Sequence, residues 1–375
     1  MLPLNQIICG DCLEIMKAWP DESVHCVVSS PPYWGLRDYC VDGQYGLEKT
    51  PEEYVAKMVE VFKEVKRVLR KDGSLWLNLG DSYGGSGMDL SYSGFTKGPN
   101  ACDTRPLDCR PATGHIRGKW NKQLMGIPWR LAFALQADGW WWRSSIPWLK
   151  RNAMPESCND RPTTSVEYIF LMTKSAKYFY DSEAVKKEAV PSKNENEKPM
   201  RNLRNSDWFF DTWQGLYGDE NGLPLAMIVN PEAYPESHFA TFPRKLVEPC
   251  IKAGTSQKGC CAKCGAPWRR IVENKPMQVR LSPKGVAKQE QGLRTSCTGT
   301  MLNNAETKTI GWQPSCQCQA EVKPCVVFDP FMGSGTTAAV AYELGRDYVG
   351  CELNPKYLAF NRAEKAKQKY SLIER

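Results

Sequence analysis

The sequence predicts an α/β fold: a mostly parallel sheet covered by helices. Three observations predict it. The segment from Ile7 to Leu79 alternates strand and helix patterns. A strand near the C-terminus runs into a Gly-rich turn and then a helix. The two turns richest in functional groups each follow a buried strand, at the sheet edge where open α/β folds bind ligands.

Ile7-Ile8-Cys9 reads as a short buried strand ending at Gly10-Asp11, and Cys12 to Trp19 as a short helix. Val24 to Ser29 is rich in β-branched residues, hence a strand, and two prolines end it. Pro51 to Leu69 carries Tyr54, Val55, Met58, Val61, Phe62, Val65 and Leu69 at helical spacing. Asp72-Gly73 predicts a turn and Ser74 to Leu79 a strand. Gly80 to Lys122, rich in Gly, Ser, Asp and Arg, shows no period and is expected to be a long mobile loop. Pro128 to Gln136 is expected to be helical, Trp140 to Leu149 and Val166 to Thr173 to be strands, and Lys186 to Asn205 to be flexible. A helix is expected over Phe242 to Ala253, and Lys275 to Thr309 reads as polar and unpatterned. Cys325 to Asp329 predicts a strand, Gly335 to Leu344 a helix, Asp347 to Cys351 a strand and Pro355 to Lys369 a final helix.

At 375 residues, with 42% hydrophobic and 24% charged residues, the chain can hold one large domain with accessory regions. No apolar run approaches the ~20 residues of a membrane span. The N-terminus lacks a signal-peptide pattern, so a soluble, cytoplasmic protein with no membrane partner is expected. A net charge of +7 is compatible with a polyanionic partner. Of 13 Trp, the cluster Trp140-Trp141-Trp142 with Trp148 is expected to serve the core. Sixteen Cys in such a chain argue against a disulfide framework. Ten of them, Cys325 included, are scattered, and most of these read as reduced thiols used as small hydrophobes.

Val326-Val327-Phe328-Asp329 runs into Gly333-Ser334-Gly335-Thr336-Thr337. Glycines serve where backbone must turn sharply and approach a ligand closely. Glu352 ends the next strand, where a carboxylate can accept bonds from ribose hydroxyls. The unit therefore suits an adenosine-type ligand. A phosphate-binding P-loop is excluded, because no Gly-Lys-Ser/Thr follows. NAD is disfavoured, because this unit would open a dinucleotide fold rather than close one.

Ser30-Pro31-Pro32-Tyr33 is the second turn. The prolines fix the backbone and leave Pro31 a carbonyl without an amide donor. A hydroxyl and a rigid carbonyl can grip the hydrogens of an aromatic amine and localise its lone pair, while the Tyr33 ring stacks on the base. A base reached in this way must leave its helix, at a cost of a few kcal/mol, offset by stacking of roughly 1–3 kcal/mol.

Together these residues resemble the amino-methylating DNA methyltransferases that use S-adenosylmethionine. The order, with catalytic turn first and cofactor turn last, resembles the β-type, circularly permuted members. The resemblance implies a Rossmann-like, mostly parallel seven-stranded methyltransferase sheet acting on double-stranded DNA in a bacterial cell or phage-infected host. It implies catalytic roles for Ser30, Pro31, Pro32 and Tyr33. Asp11 would contact the cofactor adenine, and Glu352 the ribose. Asp329, Phe331, Gly333, Gly335 and Thr336 would form the cofactor loop. His238-Phe239-Ala240-Thr241-Phe242-Pro243, with Phe242 and Pro243, would border the methionine end. Trp34 to Tyr39 also matches a subset of these enzymes, without an assigned role. Ser rather than Asp at the first catalytic position points to cytosine-N(4), with adenine-N(6) as the alternative. Other methyl acceptors, RNA or protein, and a non-catalytic zinc-containing DNA-binding protein are the further alternatives. The resemblance leaves room for a cognate restriction endonuclease and for a monomer or homodimer.

Cys261-Ala262-Lys263-Cys264 followed by Gly265 reads as a knuckle, and Cys316-Gln317-Cys318 as a second pair. Four thiolates there could hold a structural zinc at ~2.3 Å. Cys260 and Cys297 are alternative ligands. Basic residues of two loops are candidate DNA contacts: Arg105, Arg110, Arg117, Lys119 and Lys122 with His115 and Trp120, then Lys193, Lys198, Arg201 and Arg204. The expected organisation is core at 1–84, a DNA-contacting loop at 85–125 and core at 126–184. A recognition insertion follows at 185–235, then a cofactor-bordering helix at 236–258, a Cys-rich insertion at 259–320 and the cofactor-binding part at 321–375.

Overall fold

The computed structural model describes residues 2–39, 41–84, 110–111, 120–150, 159–185, 227–228, 232–234, 237–275, 279–281, 299–301, 306–358 and 362–373. Its central sheet has eight strands: β1 (Gln6–Cys9), β2 (Val24–Ser29), β3 (Leu69–Leu79), β4 (Trp141–Leu149), β5 (Val166–Thr173), β6 (Met227–Ile228), β7 (Val326–Asp329) and β8 (Asp347–Glu352). The spatial order is β1-β8-β7-β2-β3-β5-β4-β6. Every neighbouring pair is parallel except those made by β5. The expected seven strands are thus joined by one two-residue edge strand, β6.

Alternation along the strands explains why both faces are covered. Leu75, Leu77 and Leu79 of β3 enter one core while Trp76 enters the other. Val326 and Phe328 of β7 likewise oppose Val327. The helices α1 (Cys12–Lys17), α2 (Pro51–Val68) and α3 (Ile127–Ala137) cover the first face. On the second lie α4 (Arg244–Gly254) and α5 (Thr336–Glu343). Thr50 caps α2 by accepting from the Glu53 backbone N–H at 3.1 Å, and Pro51 stands where its missing N–H costs nothing. Its buried stripe of Tyr54, Met58, Val61, Phe62 and Val65 contributes on the order of 1.5–3 kcal/mol per side chain.

The crossover from β2 to β3 runs through α2 on one face, and that from β7 to β8 through α5 on the other. From the parallel pair β2 and β7 the connections therefore wind outward in opposite senses, and this switch point opens a crevice at their carboxyl ends.

Several expectations are corrected. β1 is half-exposed rather than buried, because it is an edge strand with β8 as its one partner in the sheet. Asp72-Gly73 lies within β3 as an outward bulge. Between the pairs Val24 with Leu69 and Cys26 with Ser74, β3 advances five residues against two on β2. The segment expected to be unpatterned contains paired strands: Arg269–Lys275 with Glu306–Gln313, and Val279–Leu281 with Gly299–Met301. The first ribbon leaves Ile310 exposed and has no wholly buried face, so no burial period marks the sequence. Of the expected last helix, α6 (Pro355–Leu358) and α7 (Arg362–Ile373) are described as helical, and residues 359–361 between them lie outside the described residues. Trp140 and Trp148 are core, whereas Trp141 is half exposed. No helix among the described residues is long and apolar enough to cross a membrane. Residues 186–205 lie outside the described residues.

Candidate functional site

The parallel strands deliver their carboxyl ends to one edge, and β5, running the other way, delivers its start there. These ends surround a single cavity of about 340 Å³, within the range of small-ligand sites. Ser30, Pro31, Pro32 and Tyr33 line it, as do Asp11, Phe242, Asp329, Phe331, Gly333, Thr336 and Glu352. Gly335 and Pro243 do not line it. Gly335 caps α5 in the left-handed region at φ 83°, and Pro243 precedes the first turn of α4.

One carboxylate joins the two turns. Asp329 accepts from Ser29 Oγ at 2.6 Å and from the Phe331 backbone N–H at 3.0 Å. Its other oxygen accepts from Thr337 Oγ1 at 2.9 Å. Burial pushes this carboxyl up to about 6, opposed by those hydrogen bonds. Asp329 therefore shapes the loop and ties it to the residue preceding Ser30.

Glu352 holds the loop from the other side. Its oxygens accept from the backbone N–H groups of Gly333 and Asn354, each at 2.8 Å, and burial raises its pKa. Each oxygen keeps a lone pair for a ligand hydroxyl. Asp11 caps α1 through the Leu13 N–H at 3.0 Å and accepts from Tyr45 Oη at 3.0 Å. Tyr45 meets Phe331 edge-on at 5.7 Å, and Tyr39 meets Tyr357 at 6.3 Å, giving aromatic walls near both acids.

At the other end the floor is polar. Ser30 Oγ donates to Tyr33 Oη at 3.3 Å, and Tyr33 Oη donates to Glu167 Oε2 at 2.6 Å. Asn78 Nδ2 donates to Tyr33 Oη at 2.7 Å and to Glu167 Oε2 at 3.0 Å. A carboxylate only accepts, so this contact fixes the orientation of the Asn78 amide. Among the described residues Asn78 Oδ1 is buried without a hydrogen-bond partner. Lys150 pairs with Glu167 and lies over the Trp148 ring at 4.7 Å. Tyr33 is half-buried, and desolvation of its hydroxyl with the Glu167 charge beside it holds its phenol well above its ordinary pKa, hence neutral. A Cβ on Gly80 would approach the Tyr33 ring to 2.6 Å, so only glycine fits there.

Sequence reasoning missed Asn78, Lys150 and Glu167. Glu167 had a signal, being a lone charge in the apolar run Val166 to Thr173. Of the expected DNA contacts among the described residues, Trp120 packs edge-on against buried Trp34 at 6.4 Å, and Lys122 pairs with Asp160 at 2.7 Å. Arg110 and Pro111 pair their backbone with Arg37 and Asp38. Arg105, His115, Arg117, Lys119, Lys193, Lys198, Arg201 and Arg204 lie outside the described residues.

At the opposite edge of the sheet, the sulfurs of Cys261, Cys264, Cys316 and Cys318 lie within 4.8 Å of one another. Tetrahedral thiolates at ~2.3 Å from one ion would stand ~3.8 Å apart, so this donor set fits zinc. The backbone N–H groups of Cys264 and Lys263 point at the Cys261 sulfur, as a knuckle requires. Arg70 Nη1 donates to the Cys264 carbonyl at 2.7 Å, and His25 Nε2 to the Gly265 carbonyl at 2.9 Å. Cys260 is not part of this group: with Cys325 and His25 it forms a second one. Cys325 thus has polar neighbours and is more than an apolar filler. His25 Nδ1 accepts from the Val326 N–H at 3.0 Å, so both ring nitrogens serve backbone groups. Cys297 lies outside the described residues.

Comparison with known proteins places these features in context. The family model described as DNA methylase matches residues 24–262 and 323–364. The type II methyltransferase M.Cfr9I of Citrobacter freundii is 36% identical over 95% of this chain and 86% of its own length. M.SmaI of Serratia marcescens is 36% identical over 94% of this chain and 87% of its own. The fold resembles the solved PvuII DNA methyltransferase (cytosine-N4-specific), with a TM-score of 0.52 and 16% identity over 98% of this chain and 91% of that one.

Proposed function

This chain belongs to the DNA methylase family, and from that membership we propose that it transfers a methyl group from S-adenosylmethionine to the exocyclic N(4) of cytosine in double-stranded DNA. The observation that carries the proposal is the single cavity shared by Ser30-Pro31-Pro32-Tyr33 and the 329–337 loop with Glu352. The cofactor's chemistry is a methyl group on a positively charged sulfur. Glu352 and Asp11 suit its ribose hydroxyls and adenine amine, with Phe331 and Tyr45 beside them. The target base enters at the polar end, stacked against Tyr33. Ser30 Oγ and the Pro31 carbonyl accept the hydrogens of its amino group. These bonds, rather than a covalent intermediate, raise the nucleophilicity of the nitrogen and aim it. Ser30 in place of a carboxylate supports cytosine over adenine.

The test is incubation with tritiated cofactor and duplex DNA, followed by digestion to nucleosides. Label in N(4)-methylcytosine is expected. Label in N(6)-methyladenine alone would refute the base assignment, and label on RNA or protein but not DNA would refute the substrate.

We further propose that Cys261, Cys264, Cys316 and Cys318 hold one structural zinc. Four thiolates leave no open position for catalysis. The knuckle sits near His25, at the amino end of β2, roughly 13 Å along the strand from Ser29 at ~3.3 Å per residue. Freshly purified protein should contain about one equivalent of zinc. Chelation should lower the melting temperature while cofactor affinity persists. Less than about a tenth of an equivalent would overturn the assignment.

A further inference from the structure

The floor of the cavity holds more polar groups than gripping an amine requires. Ser30 Oγ, Tyr33 Oη and Glu167 Oε2 form a directed chain, each hydroxyl donating to the next oxygen at 3.3 and 2.6 Å. Asn78 Nδ2 braces the second and third members. The chain begins at the catalytic turn and ends at a carboxylate on a different strand, β5. Glu167 is 13% exposed, and Lys150, its ion-pair partner, is 20% exposed and borders solvent.

The reaction leaves a proton to dispose of. The amine nitrogen forms a bond to the methyl carbon as the carbon–sulfur bond breaks with its electron pair on sulfur. The nitrogen then carries one proton too many and a positive charge. Serine alone is a poor acceptor for it, because its hydroxyl has no use for a second proton. We propose that Glu167 is the terminal acceptor of this proton, reached through Ser30 and Tyr33. The amine proton passes to Ser30 Oγ, the Ser30 proton to Tyr33 Oη, and the Tyr33 proton to Glu167 Oε2. Both hydroxyls end as they began, the product amine is neutral, and the positive charge that left sulfur is balanced at the carboxylate. Tyr33 is suited to relay because it stays a neutral phenol that accepts and donates at once. Lys150, released from its ion pair, is next to solvent and opens the way for the proton to leave.

The inference rests on the assignment of Ser30 to Tyr33 as the catalytic turn. Glu167 acts through other residues, so shape and basicity must be separated. Glu167→Gln keeps the size and an acceptor for Tyr33 but cannot take a proton, whereas Glu167→Asp keeps the carboxylate. Single-turnover methyl transfer at saturating DNA should fall at least about 100-fold in Glu167→Gln, and Glu167→Asp should retain more activity than Glu167→Gln. Affinities of Glu167→Gln for S-adenosylmethionine by calorimetry and for duplex DNA by anisotropy should stay within about threefold of the parent. Tyr33→Phe should lose activity comparably, and the double variant should be no worse, as members of one relay are not additive. The proposal is overturned if Glu167→Gln matches or exceeds Glu167→Asp, or if its defect disappears at saturating DNA. Variants as active as an active parent would remove this inference and leave the methyltransferase reading standing; a parent that labels no DNA would remove both.

Discussion

Replacing Ser30 with Ala is expected to slow single-turnover methyl transfer by roughly 10²–10³-fold, the loss seen when one preorganised polar group is removed from a reacting centre. The expectation follows from position. Ser30 lines the cavity at the end of β2, and its bonds to Tyr33 and Asn78, each 3.3 Å, are long. Removing the hydroxyl therefore costs little stability. What disappears is an acceptor for the amine at the moment its lone pair must localise. Cofactor binding should persist, because the residue tied to the cofactor loop is Ser29, whose hydroxyl meets Asp329. Rapid-quench transfer of tritiated methyl measures the rate, and calorimetry the cofactor affinity. A variant that transfers at the parental rate would remove Ser30 from the chemistry, and one that loses cofactor affinity instead would mean the two ends of the cavity have been exchanged.

Replacing Glu352 with Ala is expected to have the largest effect on binding. The carboxylate anchors the Gly333 and Asn354 N–H groups, and in the proposed reading its remaining lone pairs accept both ribose hydroxyls. A hydrogen bond to a charged group contributes about 1.5–3 kcal/mol. Two such bonds to ribose correspond to a roughly 10²–10⁴-fold rise in the cofactor Kd, at about 1.36 kcal/mol per decade. Glu352→Gln, which keeps one acceptor oxygen, should fall between. Calorimetric titration with S-adenosylmethionine decides the matter, and parental affinity in Glu352→Ala would place the ribose elsewhere.

Much of the site was legible because its two turns are local. A Pro-Pro turn after a β-branched run and a Gly-rich turn between strand and helix are short-range features, and each carries its own chemistry. Glu167 was not legible in the same way, because the partners that bring it to the floor, Tyr33 and Asn78, are 134 and 89 residues away in sequence. Nothing in Val166 to Thr173 says that this strand runs antiparallel. Had it run parallel like its neighbours, its start would lie at the knuckle edge and Glu167 would be remote from Tyr33. Asp329 shows a similar limit. Its motif marks it as part of a ligand loop, but only the fold reveals that three protein donors occupy its oxygens. The exposed ribbon of Arg269–Lys275 and Glu306–Gln313 escaped for a different reason: its pairing is made by backbone bonds, and no buried face imprints a period.

The sequence by itself determined the covered sheet, the two turns at its carboxyl edge and the residue types that suit an aromatic amine and an adenosine-type ligand. Those properties follow from periodicity and turn chemistry, which act over a few residues. Tertiary structure alone decided that the turns share one cavity, that Asp329 links them through Ser29, that Glu167 and Asn78 complete the floor, and that the cysteine knuckle lies at the far edge. Each of these depends on strand order and direction, which long-range packing sets.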